Sequence, residues 1–232
     1  EVYTGKYDTN FPSEVKASVY SKEEVKKSGF FKAIWGDRYR KYYGTKILAK
    51  TVSLDTLFGG LVPVKEGGGH QSKSLRLSAN DGREYVMRSL KKSPELYLQS
   101  MAFKDQFIMD DLEDTYTQEL LQDFYTGAHP FAPFTTAVMS DAVGLYHTNP
   151  LLYYVPKQPA LENYNVSFGD ELYMIEEHAG DGHGNLSSFG YSNTLISTDK
   201  MLENLRDDEK YEVDTELYLK ARLFDMVIGD WD

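Results

Sequence analysis

Asp230 and Asp232 follow an apolar run that breaks at Gly229, placing two carboxylates two residues apart. A carboxylate at the mouth of a cleft can accept a hydroxyl proton or hold Mg2+. Such a pair also suits an exposed turn. Upstream, Gly67, Gly68 and Gly69 lead into Gln71, Ser72, Lys73 and Ser74. Glycines permit positive φ and a close backbone approach, and the donors that follow suit phosphate oxygens. Gly-Lys-Ser/Thr is absent, so this is not a P-loop, and three glycines also make a plain hairpin tip. Arg88 alternates with Val86 along Glu84 to Leu90, where a strand could present a cation beneath such a loop. An arginine on a half-buried strand must be paired or reach water. Glu119 and Asp123, four apart on one helical face, are candidate partners, and both also read as solvated surface acids.

Glu176 and Glu177 end the run beginning at Leu172. Backbone groups there could pair with a purine edge, or the acids could simply be exposed at a strand end. His178 and His183, with Asp181 between them, match no specific zinc spacing, so the metal ligands stay unassigned.

These residues need elements to position them. Leu57 to Val64 leads into the glycines, Leu75-Arg76-Leu77 alternates, and Asn80-Asp81-Gly82 punctuates the run into Glu84 to Leu90. The pattern predicts three antiparallel strands, with the glycine loop joining the first two. Ser93-Pro94-Glu95 opens a helix. Leu112, Tyr116, Leu120 and Phe124 recur at four-residue steps in a second helix, and residues 135–146 form a shorter one. Strands follow at Leu151 to Val155 and Glu171 to Glu176, then a glycine-rich loop from Gly180 to Gly190. Thr198 caps a helix through Leu205, and a last helix from about Thr215 sets Leu217, Ala221, Phe224 and Ile228 on one side. The order is that of an α+β chain, not a parallel βαβ sheet.

Charge is segregated. Residues 1–50 hold 11 Lys and Arg against 6 Asp and Glu, whereas the chain of 232 residues is formally −11, so residues 51–232 carry −16. That balance argues against a general nucleic-acid binder. The Lys22 to Lys50 stretch could still meet a polyanion or an acidic partner, or lie on its own acidic domain. No apolar run reaches the eighteen or so residues of a membrane span, and with no cysteine the chain forms no disulfide. Residues 1–50 carry the aromatic-basic clusters Phe30 to Trp35 and Tyr39 to Tyr43 with little periodicity, and read as a docking extension.

Leu223-Phe224-Asp225-Met226-Val227-Ile228-Gly229-Asp230-Trp231-Asp232 resembles the helix and catalytic-loop start of atypical kinases. That group includes certain secretory-pathway kinases, the HipA toxins and the type II phosphoinositide kinases. A closer resemblance runs along nearly the whole chain. Gly60 to Val64, Gly67 to Gly69, Ser74 to Leu77, Gly82 to Ser89, Ala128-His129-Pro130, Asp141-Ala142, Tyr146 to Pro150 and Glu176-Glu177 are similar to a poorly characterised Bacteroidota family. Its members are often envelope proteins in which this region follows a calcineurin-like metallophosphoesterase domain and sometimes precedes an outer-membrane β-barrel.

The resemblance implies a two-lobed atypical protein-kinase-like fold, truncated at the start of the catalytic loop. Residues 1–50 would be the docking extension, 51–177 the N-lobe and hinge, and 178–232 the start of a helical C-lobe. ATP and Mg2+ would be the cofactors. Gly67 to Ser74 would cover the phosphates, and Arg88 would stand where protein kinases have lysine, with Asp123 as its partner and Glu119 in reserve. Glu176 and Glu177 would line the hinge, and Asp232 would be the catalytic aspartate. The setting would be periplasmic or outer-membrane-associated, with envelope proteins as partners. The function would be nucleotide binding with phosphoryl transfer to a hydroxyl, or an inactive scaffold. Without the loop expected after Asp232, the 232 residues would show no kinase turnover.

Overall fold

The computed structural model describes residues 5, 7, 10–67, 71–94, 97 and 116–230. The chain divides into two compact units, one of residues 1–135 and 150–178, the other of 136–149 and 179–232.

The first unit is built on an antiparallel sheet. Its strands are β3 (Leu61–Gly67), β4 (Ser74–Ala79), β5 (Glu84–Ser89), β6 (Leu151–Val155) and β7 (Glu171–Glu177), in the order β3-β4-β5-β7-β6. The expected strands are all present, and Asp81-Gly82 makes the β4–β5 turn with Gly82 at φ 85°. Pro63, which has no N–H to donate, sits on the edge strand β3 beside the register shift between Pro63 and Lys65.

Alternation puts Leu75, Leu77, Tyr85, Met87, Tyr173 and Ile175 on one face, where they form the main core with Leu54, Leu61, Leu161 and Phe168. A 3-10 segment, Pro159–Val166, covers that face. Its polar anchor is Gln158, buried with both ends of its amide used: Oε1 accepts from Leu54 N at 2.7 Å, and Nε2 donates to Val52 O at 3.2 Å. Asn165 closes the loop by donating to Gln158 O at 2.8 Å. A buried polar network is tolerated only when its members are satisfied in this way.

Residues 14–50 belong to the same unit. A two-stranded sheet of β1 (Glu14–Ala17) and β2 (Ile47–Lys50) flanks the short helices α1 (Gly29–Trp35) and α2 (Arg40–Tyr43). Ser28 caps α1 by accepting from Phe31 N at 3.1 Å. Tyr20 and Tyr43 stack with ring centres 5.2 Å apart, in a second buried cluster with Val19, Ala49 and Leu172. Burial pushes the Tyr43 phenol up to about 12 and raises that of Tyr20 further. The segment with the least sequence periodicity therefore supplies most of a second core, completed by Leu172 of β7.

α3 (Tyr116–Tyr125) and the start of α4 (Ala132–Val143) complete this unit. Of the four-step stripe, Leu120 and Phe124 on α3 face outward, Phe124 being 75% exposed, while Asp123 and Tyr125 are buried. Leu112 lies outside the described residues.

The second unit is helical. It contains the rest of α4, the glycine-rich loop, α5 (Thr198–Asp207) and α6 (Thr215–Ile228). The cap of α5 is Ser197, not Thr198; its hydroxyl accepts from Lys200 N at 3.2 Å. Asp214 caps α6 by accepting from Leu217 N at 2.9 Å, and Gly229 ends it at φ 76°. Leu217, Ala221, Phe224 and Ile228 form the more covered side of α6, as their spacing predicts. No described helix is long and apolar enough to cross a membrane.

Candidate functional site

The second face of the sheet carries the polar side chains. Cross-strand register lines up Ser74, Arg88 and Met174 in one row and Arg76, Val86 and Glu176 in the next. Arg88 projects from the middle strand β5 and is exposed, and it makes no ion pair among the described residues. Arg76 Nη2 lies 2.5 Å from His178 Nε2, and its Nη1 lies 3.4 Å from Glu84 Oε2. A guanidinium only donates, so Nε2 accepts and the imidazole proton sits on Nδ1. Nδ1 in turn faces Glu84 Oε2 at 3.5 Å. The Arg76–Glu84–His178 cluster thus holds its charges in a fixed arrangement one row from Arg88.

The residues of the glycine segment have structural attachments. Gly67 ends β3 against Ser74: a Cβ there would come within 2.3 Å of Ser74 Oγ, so a larger residue requires the serine hydroxyl to turn away. Gly68 and Gly69 lie outside the described residues. Gln71 accepts from Ser93 N at 2.8 Å through its carbonyl and from Lys92 Nζ at 3.1 Å through its side chain. Ser72 and Ser74 are buried. Lys73 is bound to Glu171 Oε1 at 2.9 Å and to Ser167 O at 2.5 Å, above the Phe168 ring.

Asp123 is reached from an unexpected direction. Its carboxylate is ion-paired with Arg40 of α2, both side chains being nearly inaccessible. The Arg40 guanidinium also lies 5.8 Å from the Phe31 ring centre. The expected Arg88–Asp123 pair is corrected to Arg40–Asp123: a buried carboxylate needs a close counter-charge, and α2 delivers one. Glu119 lies in α3. Glu176 stands opposite Val86 on the polar face, and Glu177 opposite Tyr85. Asp232 lies outside the described residues.

In the second unit, Asp230 lines a cavity of about 540 Å3 together with Glu212, Asp214, Arg222 and Asp225. Arg222 and Asp225 pair at 2.6 Å on one turn of α6. His183 is buried here, stacked 5.5 Å from Phe189. His178 sits in the first unit against Arg76, and no group of three metal-ligating side chains occurs among the described residues.

No family model matches the chain, and neither a curated protein nor a solved structure matches it significantly. The fold is mixed α+β with a five-stranded antiparallel sheet. Arg76 and Glu84 were not singled out from the sequence, although both alternate with the core residues Leu75, Leu77 and Tyr85 and so fall on Arg88's face. Nothing in the local sequence distinguished Arg40 from its basic neighbours.

Proposed function

We propose that the first unit is a kinase-like nucleotide-binding lobe of a cell-envelope protein, with phosphoryl transfer to a hydroxyl as the chemistry it would serve. The observation carrying this reading is Arg88 on the open face of the middle strand β5, directly after a hairpin whose first strand ends at Gly67. Glycine hairpin, cation-bearing strand and acid-bearing helix follow one another in the order that nucleotide phosphates require in kinases. Arginine offers a fork of donors to phosphate oxygens where kinases use the point charge of lysine.

The residues fit ATP in part. Arg88 has an exposed guanidinium for a phosphate, whereas the ammonium of Lys73 already serves Glu171 and Ser167. A bound nucleotide with Mg2+ would supply the transferable phosphoryl group. This chain's part would be to hold phosphate oxygens at Arg88 and to steady that face through Arg76, Glu84 and His178.

A second reading is an inactive, pseudokinase-like scaffold, favoured by the Arg40–Asp123 pair, which takes the helix acid away from Arg88. Calorimetry with ATP, with and without Mg2+, separates the two. Micromolar to millimolar binding that weakens at least about tenfold in Arg88→Ala supports nucleotide recognition, because a charge-assisted contact of 1.5–3 kcal/mol is removed. Equal binding in wild type and variant removes Arg88 from the role. No binding in either leaves the scaffold.

A further inference from the structure

We propose that the α1–α2 region is a peripheral docking surface for an anionic lipid bilayer. It uses none of the sheet residues assigned to nucleotide binding.

Three observations converge. On α1, Phe30 and Ile34 are four apart, on one helical face, and are 78% and 58% exposed. Trp35 is 48% exposed, and Tyr39 and Tyr42 lie beyond it with rings 6.2 Å apart. An exposed group of Phe, Ile, Trp and Tyr is costly in water, and Trp and Tyr favour the headgroup level of a bilayer. Around them in the chain, residues 22–46 hold 8 Lys and Arg against 3 acids. Lys22, Lys26, Lys41 and Lys46 are exposed, so their charge is available to a surface.

The charge segregation supplies the orientation. In the same unit, residues 51–135 and 150–178 hold 9 Lys and Arg against 17 Asp and Glu. An anionic surface attracts residues 22–46 and repels the acidic remainder of this unit, so the unit meets it with the aromatic side first. α1 is tied to the body through Phe31, whose ring lies 5.8 Å from the guanidinium of Arg40 on α2, and Arg40 is paired with buried Asp123. Exposed rings on a fixed base enter an interface without an ordering step. At seven residues, α1 cannot span a bilayer, so the contact is superficial.

The test is vesicle co-sedimentation of the whole chain, comparing pure phosphatidylcholine with phosphatidylcholine containing about 30% phosphatidylglycerol. Anionic vesicles should bind at least about tenfold more protein, with the difference lost near 0.5 M salt. In a Trp231→Phe background, Trp35 emission should shift to the blue on binding. Two variants should each abolish binding while matching wild type in circular dichroism and melting: Phe30→Ser with Ile34→Ser, and Lys22, Lys26, Lys41 and Lys46 all→Gln. Replacing Lys200, Lys210 and Lys220 by Gln, in the second unit, should leave binding intact. Equal sedimentation with both vesicles overturns the proposal, as does wild-type binding by the aromatic variant. Absence of vesicle binding together with self-association, or capture of an acidic polypeptide, that the same variants abolish overturns it in favour of a protein interface.

Discussion

Leu75, Leu77, Met87 and Ile175 in the sheet are wholly inaccessible to solvent, whereas no residue of α5 or α6 is buried. The first unit is held by long-range packing: strands from distant parts of the chain meet, and Gln158, Asn165, Arg40 and Asp123 find partners inside. The second relies much more on local devices, namely Ser197 and Asp214 as caps, Gly229 as a stop, and ion pairs within one turn. Local devices hold a helix in shape but contribute little to its position. Val227, 80% exposed, with Leu223 and Met226 beside it, marks the apolar surface that α6 leaves uncovered.

The sharpest break in this contrast is expected at Asp123. Asp123→Ala leaves a buried Arg40 without its counter-charge and should cost about 3–5 kcal/mol, whereas Asp225→Ala, at a partly exposed pair of α6, should cost about 1 kcal/mol or less. Urea melts of both variants give the two values; similar losses would erase the distinction. Leu77→Ala should cost about 2–5 kcal/mol by opening a cavity in the main core, with a fall in the urea midpoint at an unchanged slope.

Alkaline pH should act on the first unit next. Tyr43 ionises near its ordinary value of 10.0 when unfolded but only at about 12 when folded. Between these values the unfolded chain has lost a proton that the folded chain keeps, so stability falls as pH rises. The loss is on the order of 3 kcal/mol. Tyr43→Phe should flatten the decline measured by thermal melts from pH 9 to about 12.

Cap removal probes the second unit: Asp214→Ala should cost about 1 kcal/mol, read as earlier loss of helical ellipticity. The smallest effect on stability is expected for Val227→Lys, within about 0.5 kcal/mol. The same change should reduce self-association seen by sedimentation, because it breaks an apolar patch. Unchanged association would move the sticky surface elsewhere.

The contrast also explains what could be read in advance. The β4–β5 hairpin was legible from Asp81-Gly82 between two alternating runs, and α6 from the spacing of Leu217, Ala221, Phe224 and Ile228. Each signal lies within one element. Asp123 buried and Phe124 exposed could not be read from α3, because the reversal is set by Arg40, far away in the chain. Lys73 looked like a phosphate donor until Glu171 and Ser167 came to it from β7 and the segment before it. Tyr20 and Tyr43 were hidden by a segment without periodicity, since single rings supplied by a loop and by a four-residue helix leave no repeat. Of the candidate site, the residue types and Arg88's strand were legible; the partners were not.

The placement of β7 between β5 and β6 has a consequence for how the chain reaches this state. β5 ends at Ser89, yet its neighbour β7 begins only at Glu171, so the middle of the sheet cannot close until residues 90–170 have been threaded past. Until then β5 presents an open edge able to pair with another chain. Closure over so long a loop is slow, and synthesis from the N-terminus prolongs the wait. The nascent chain is therefore most exposed to misassembly after Ser89 emerges and before Glu177 does.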